Sequence, residues 1–315
     1  SGEWWLNVTL PRLMRRERID LLHGPAYLVP WRPTRATKVV TVFDLVYERV
    51  PGAYTPWFAW YLRRVVRLSA RAADGVLAIS HRTGSDLTEL AGVAPSKIRV
   101  VPLAADPSLR PPAPEAVAQL RRRRGLERPY LLYVGTIEPR KGVATMLRVI
   151  ERLRASGRDV ELALAGKVGW RAGGLLRLIE SSPVRAFVRR IDYVPDEDLA
   201  ALYGGAEALL YLSAYEGFGL PPLEAMACGC PVIASNRGAL PEVVGDGGVL
   251  VDPDDDARAA GIAAQWMTDH AARTAMIEKG LRRAAAFSWS RAAQQTLEYY
   301  EALAPPGGSA HANLL

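Results

Sequence analysis

The chain has 315 residues, room for two domains at ~150 residues each. Apolar types make up 49% and charged types 23%, which excludes disordered, collagenous and coiled-coil classes, and no window reaches the ~18 uninterrupted apolar residues of a spanning helix. Forty Lys and Arg against 33 Asp and Glu leave a net charge of +7, which favours anionic partners; no zinc-finger spacing, aromatic RNP-type strand or long basic tail accompanies it, so no nucleic acid is expected. Cys228 and Cys230 are the two cysteines, too close for a disulfide framework and too few for a four-ligand zinc site. The opening SGEWWLNVTLPRLMRRERID lacks the basic, apolar, small-residue order of a signal peptide. A reducing cytoplasm is the expected location.

Short apolar runs alternate with helical patterns. Residues 39–45 (VVTVFDL), 75–80 (GVLAIS) and 98–103 (IRVVPL) read as buried strands, with helices expected over about 56–73 and 84–90. Strands separated by helices argue for βαβ units and a parallel sheet. The stretch 105–129 breaks the rhythm with PSLRPPAPE and then RRRR at 121–124; its proline density and charge run predict an interdomain connection over 111–128, with a short helix at 115–124 and a solvated arginine face. A second series follows: YLLYVG (130–135), ELALAG (161–166), IDYV, ALLYL (208–212), PVIAS (231–235) and VLVD (249–252), with helices at 143–154 and 257–267 between them. The expected domains are 1–110, 129–286, a C-terminal helix at 287–303 and a flexible tail at 304–315.

The most informative stretch is 211–248, YLSAYEGFGLPPLEAMACGCPVIASNRGALPEVVGDGG. A strand ends near Leu212, and a loop holds Glu216, Gly217, Phe218 and Gly219. Pro222 suits the first turn of a helix and Gly229 its C-terminal cap. Glycines let backbone approach a ligand closely, and free N–H groups at a helix start suit a phosphate. Glu216 in the loop and Glu224 in the helix could hold sugar and ribose hydroxyls. His23, in LLHGPAY, is a candidate for lining a cleft or for a structural role; the two cysteines read as small packing residues beside the site.

The segment E-G-F-G-L-P-P-L-E, with its two glutamates separated by seven residues, resembles the signature of retaining GT-B glycosyltransferases of family 4. The following A-M-A-C-G-C-P-V-I-A-S and L-P-E-V-V-G-D extend the likeness, as do GTIEPRKG (135–142), VPDEDLAALYGGA and FSWSRAAQQTLEYY. The similarity covers nearly the whole chain, is strongest over 130–252 and points to mannosyltransferase-like members. It implies two Rossmann-like α/β domains facing a cleft, with a nucleotide-sugar donor held mainly by the second. Gly135 ends the strand before the donor loop; Arg140 and Lys141 would hold the donor diphosphate, Glu224 the ribose hydroxyls and Glu216 the sugar ring, while the backbone of Phe218, Gly219 and Leu220 would face sugar and phosphate. The implied reaction moves a hexosyl group, mannosyl favoured, to an acceptor hydroxyl with retention. Departure and attack on one face, assisted by the donor phosphate, is the mechanism the likeness suggests. GDP-mannose is the leading donor and a UDP-sugar the next; no cofactor and no metal are expected, because arginine, lysine and amide dipoles can stabilise the leaving diphosphate. The acceptor would be a saccharide or lipid-linked sugar in polysaccharide or glycolipid assembly. A GT-B nucleotide-sugar epimerase and an inactive donor-binding partner are the other readings.

Two departures stand out. The opening strand and glycine-rich loop of such domains find no match before Ile19, so the first domain reads as lacking its first βα units. Where the pattern carries His-Asp, this chain has Phe43 followed by Asp44, which leaves Asp44 as the candidate acceptor-side group. Finally, a helix over 54–73 at ~100° per residue aligns Trp57, Trp60, Arg64, Arg67 and Arg71 on one stripe, with Phe58, Leu62, Val65 and Leu68 turned to the core. With Arg12, Arg15, Arg16 and Arg18 nearby, the stripe predicts peripheral contact with an anionic membrane on its cytoplasmic face. The competing expectation is that the tryptophans pack against a neighbouring element.

Overall fold

The computed structural model describes residues 2–303. They divide into two compact units, one running to Leu103 and resumed at Trp289, the other spanning Ala104–Ser288.

The first unit opens with α1 (Gly2–Trp4), which passes through a widened helical turn, Trp5–Thr9, into α2 (Leu10–Arg16). Its strands are β1 (Leu21–Gly24), β2 (Thr37–Val42), β3 (Gly75–Ala78) and β4 (Ile98–Val100), all parallel and in the order β1-β2-β3-β4. The helices between them are α3 (Val46–Arg49), α4 (Pro56–Ala72) and α5 (His81–Ala91). β2 reads TKVVTV; Val39, Val40 and Val42 are all buried, as expected of β-branched residues in a parallel strand covered on both faces. α4 begins where the Thr55 hydroxyl accepts the Phe58 amide at 3.3 Å and Pro56 takes the first helical position, the two local signals of a helix start. It buries Val65, Val66, Ser69 and Ala70 along one face. β2 stops at Val42, so Phe43 and Asp44 leave the sheet at its carboxyl edge.

The second unit begins with α6 (Pro114–Arg124) and carries β5 (Tyr130–Val134), α7 (Val143–Ala155), β6 (Glu161–Ala165), α8 (Gly173–Ser181), β7 (Val188–Ile191), α9 (Asp196–Gly204), β8 (Ala208–Tyr211), α10 (Leu220–Ala227), β9 (Val232–Ser235), α11 (Leu240–Val244), β10 (Val249–Val251), α12 (Asp256–Thr268) and α13 (His270–Ala285). The strand order is β7-β6-β5-β8-β9-β10, and every pairing is parallel. From β5 the chain winds outward through β6 and β7, then returns to β8 on the other side of β5 and winds outward again. Ligands of such sheets bind outside the carboxyl ends of the strands where the order reverses, here between β5 and β8.

The stretch 111–128 is not a free connection. Leu120 and Leu126 are fully buried, α6 packs on α9, and the arginine run is engaged: Arg121 donates to the carbonyls of Leu126, Glu127 and Arg128, while Arg123 and Arg124 pair with Asp198 at 2.7 and 3.5 Å. Proline and arginine density concealed two core leucines, Leu120 within α6 and Leu126 just past its end. The whole segment therefore belongs to the second unit; of its arginines, Arg122 and Arg123 are exposed as expected, while Arg121 and Arg124 are half-buried and bonded.

The last helix, α14 (Trp289–Leu303), packs with the first unit: the Tyr299 hydroxyl donates to the Lys97 carbonyl at 2.7 Å, and the Tyr300 hydroxyl meets His23 Nδ1 at 2.6 Å. The expected tail, 304–315, lies outside the described residues. No helix among the described residues is long and apolar enough to cross a membrane.

Candidate active site

At the carboxyl end of β5 the chain turns at Gly135 and reaches a single 3-10 turn, Pro139–Lys141. At the carboxyl end of β8 it enters the loop 212–219 and then α10. The two segments are fastened together. The Ala214 amide donates to the Arg140 carbonyl at 2.8 Å, and Arg140 Nη1 donates to the Tyr215 carbonyl at 3.1 Å. Gly142 makes the closeness possible: a Cβ there would stand 2.1 Å from the Leu212 carbonyl oxygen, and its φ of +74° lies in the left-handed region. Gly238 does the same on the far side of the loop, where a Cβ would come within 2.4 Å of the Glu216 carbonyl oxygen.

This frame brings Arg140, Lys141 and Glu216 together, although 75 residues separate Lys141 from Glu216. Lys141 Nζ lies 2.6 Å from Glu216 Oε1, with both side chains about nine-tenths buried, and also stands over the Tyr211 ring. Arg140 Nη2 lies 2.8 Å from Glu138 Oε1, and its Nη1 lies 3.8 Å from Glu216 Oε2. Two cations thus share two carboxylates. Buried charges of this kind are tolerated only when paired, so each member holds the others in place.

Gly217, Phe218, Gly219 and Leu220 lead into α10. The Phe218 ring packs edge-on against Phe287, which leaves its backbone, with that of Gly219 and Leu220, at the helix start. Pro221 and Pro222 stand in the first turn, and Gly229 follows the helix end with φ +73°. Glu224 sits a turn into α10, where Oε2 accepts the Tyr203 hydroxyl at 2.8 Å. Burial raises the Glu224 carboxyl above its ordinary value, and the Tyr203 hydrogen bond opposes that shift. Cys228 and Cys230 are buried, and burial pushes both thiols up to about 12, so they are neutral packing groups.

Beside Gly135 a cavity of about 540 Å³ opens along the carboxyl ends of β5, β6 and β7, lined by Gly166, Lys167, Asp192, Tyr193 and Val194 among others. Sequence reasoning missed this pocket, as well as Glu138 and Tyr203. Glu138 lay inside the quoted GTIEPRKG, and Tyr203 inside VPDEDLAALYGGA; their partners are 2 and 21 residues away and carry no local signal.

In the first unit His23 closes β1 with both ring nitrogens engaged, Nε2 to Thr41 Oγ1 at 2.8 Å and Nδ1 to the Tyr300 hydroxyl. Burial lowers its pKa. Its ring is a joint between β2 and α14 rather than an unengaged group. Asp44 Oδ1 accepts the Val46 amide at 3.0 Å and starts α3. On α4, Trp57 is 68% exposed and Trp60 51%, so neither packs into a neighbouring element. Arg64 stands over the Trp60 ring and Arg71 is exposed, but Arg67 turns away to the Leu90 carbonyl and Glu48. Phe58, expected in the core, is 39% exposed and packs against Tyr54 and Tyr61 on the surface, because α4 buries a face that starts only at Val65.

A family model described as "Glycosyl transferases group 1" matches residues 118–283, and one described as "Glycosyltransferase Family 4" matches residues 2–109. The chain is 36% identical over 286 residues to the O-antigen chain mannosyltransferase B of Escherichia coli, covering 90% of this chain and 74% of that one. It is 36% identical over 237 residues to an MMP alpha-(1->4)-mannosyltransferase of Mycolicibacterium hassiacum, covering 74% of this chain and 55% of that protein. Among solved structures, sucrose-phosphate synthase from Thermosynechococcus elongatus matches with a TM-score of 0.79 at 26% identity, over 93% of this chain and 76% of that chain.

Proposed function

From the premise that the chain belongs to the glycosyl transferases group 1 family, as a family-4 glycosyltransferase of GT-B fold, we propose that it moves a mannosyl group from GDP-mannose to the hydroxyl of a saccharide or lipid-linked acceptor, with retention. The observation that carries this reading is the Lys141–Glu216 pair, set with Arg140 at the strand-order reversal between β5 and β8. Mannosyltransferases at 36% identity favour mannose over other hexoses, and transfer over the epimerase and inactive-partner readings. The cavity beside Gly135 would take the base, Glu224 the ribose, Arg140 and Lys141 the diphosphate, and Glu216 the sugar.

The division of labour follows from the charges. As the bond from the sugar C1 to the donor phosphate breaks, negative charge grows on the leaving diphosphate. Arg140, Lys141 and the amides at the start of α10 meet it, filling the place a metal could otherwise take. Glu216 already holds Lys141, and a carboxylate so paired is a poor nucleophile. It suits binding the sugar hydroxyls while the acceptor oxygen forms the new bond to C1 and its proton passes to a donor phosphate oxygen. Trp57, Trp60, Arg64 and Arg71 would bring the enzyme to an anionic membrane that carries its acceptor.

The test is donor binding and transfer with GDP-mannose against UDP-glucose. GDP-mannose should bind more tightly and be consumed. In Arg140→Ala, GDP binding should weaken by roughly tenfold or more, the scale of one charge-assisted hydrogen bond, while guanosine binding stays the same. Unchanged GDP affinity by calorimetry removes Arg140 from the diphosphate site; a preference for UDP-glucose overturns the donor.

A further inference from the structure

The amino edge of the first unit's sheet carries a cavity that the donor chemistry does not use. It measures about 680 Å³ and opens beside the first residues of β1 and β2, between the turn that follows α2 and the segment that leads into β2. Ligands of parallel sheets bind at the opposite, carboxyl edge, so this cavity is not an extension of such a crevice. Arg15 and Arg18 come from the first of these segments and Arg35 from the second. Asp20 and Thr34 complete the polar lining.

Both segments are held in place. The Glu17 amide donates to the Leu13 carbonyl and the Ile19 amide to that of Met14, each at 2.9 Å, and the Thr37 amide donates to the Asp20 carbonyl at 2.8 Å. The buried Lys38 donates through Nζ to the Pro30 and Arg32 carbonyls at 3.2 and 3.3 Å, and Thr34 Oγ1 donates to the Ala36 carbonyl at 3.0 Å. On this frame Arg15, Arg18 and Arg35 stand exposed, and none of them has an ion-pair partner among the described residues, although Asp20 lines the same cavity. Arg16, outside the cavity, pairs with Glu17. Arg15 suits the last turn of α2, where the helix dipole favours a cation; Arg18 and Arg35 lie beyond that helix and owe nothing to it. Arg18 moreover sits at φ +53°, where glycine would be unstrained. Guanidinium groups converging on a concavity suit a phosphate, while Asp20 and Thr34 offer acceptor oxygens for hydroxyls. The volume is that of a small-molecule site, more than one inorganic phosphate fills.

We propose that this cavity binds a sugar phosphate at a site separate from the donor's, with Arg15, Arg18 and Arg35 taking the phosphate and Asp20 and Thr34 the sugar hydroxyls. The inference goes beyond the donor reading and does not depend on it. An anionic bilayer would offer the same arginines lipid headgroups instead. A recess with a carboxylate in its wall is unfavourable to a flat anionic surface and suits a small ligand that brings hydroxyls to that carboxylate.

Calorimetric titration with glucose 6-phosphate tests the proposal, with inorganic phosphate as the control. Glucose 6-phosphate should bind at least tenfold more tightly than phosphate. Arg18→Ala and Arg35→Ala should each weaken it by roughly tenfold, the scale of one charge-assisted hydrogen bond. Arg12→Ala removes the same charge from α2 outside the cavity and should leave binding unchanged. Asp20→Ala should narrow the gap between glucose 6-phosphate and phosphate. All four side chains are exposed, so the fold should persist in every variant. GDP should neither displace glucose 6-phosphate nor bind differently to any of these variants, so a failed donor reading and a failed second site give different results. Glucose 6-phosphate binding no tighter than phosphate, displacement by GDP, or an equal loss in Arg12→Ala overturns the proposal. So does sedimentation with phosphatidate vesicles that depends on Arg18 and Arg35 while glucose 6-phosphate does not bind.

Discussion

In the second unit Lys141 and Arg140 stand against Glu216 and Glu138, and residues 104–288 nearly balance at 24 basic and 23 acidic side chains. In the first unit the acids are fewer, and most of those buried or half-buried are already spent: Asp86 on Arg49 and Arg82, Glu48 on Arg63 and Arg67. The sheets differ in the same sense. The second reverses its strand order beside the site, whereas the first runs β1 to β4 in one direction, with no reversal among the described residues. On the proposed reading, Glu216 and Glu138 keep the cations of a diphosphate site neutralised until the ligand arrives, since bare buried charge is costly. The proposed membrane surface would need no such internal partner, because exposed charges such as Arg64 and Arg71 stay in water until contact.

Three experiments sharpen or break that contrast. The largest effect is expected at the internal pair. Glu216→Gln should cut turnover by roughly 100-fold or more, the scale of losing a positioned polar contact in the transition state. The same change should tighten GDP binding, because Lys141 no longer has a carboxylate to leave. Weaker GDP binding in Glu216→Gln would mean that Glu216 supports the diphosphate rather than competing with it.

Next in size is a pH effect at Glu224. Burial raises its carboxyl, so the folded protein takes up a proton there more readily than the unfolded chain does. Its contribution to stability is accordingly present at low pH and lost as pH rises through the folded value. Ribose binding runs the other way: it needs the carboxylate, so affinity should fall by up to about tenfold per pH unit as pH drops through that raised value. Guanosine is the appropriate probe, having no phosphate to titrate, and Glu224→Gln should flatten the profile. A profile unchanged by that substitution would take Glu224 out of the ribose site.

The smallest effect is expected at the exposed stripe. Sedimentation with anionic vesicles should fall with salt and drop several-fold in Trp57→Ala/Trp60→Ala, with little binding to zwitterionic vesicles at any salt. Protein that stays in the supernatant with anionic vesicles at low salt would make the first unit's charge a matter of solubility alone.

Much of the second unit was legible in advance because its signals are local. β5 and β8 are continuous apolar runs and β6 is one after its opening Glu161, α10 is announced by Pro222 and closed by Gly229, and the glutamate pair lies within nine residues of sequence. Glu216 and Glu224 could therefore be picked out before any coordinate, and Arg140 and Lys141 through the family resemblance of GTIEPRKG. What needed the tertiary structure is every relation across distance. The Lys141–Glu216 pair spans 75 residues and exists because Gly142 lets β5's loop close on β8. Arg67 and Arg71 look equivalent on a helical wheel, yet only Arg67 finds Glu48 and the Leu90 carbonyl. Leu120 and Leu126 are buried and α6 packs on α9, which joins 111–128 to the second unit in a way that composition could not reveal. The sequence by itself determined the strands, the helix ends and the chemical types at the site, since propensity and capping act over a few residues. The tertiary structure alone decided which charges meet and which stay in water, because pairing and burial depend on neighbours that the chain brings together from afar.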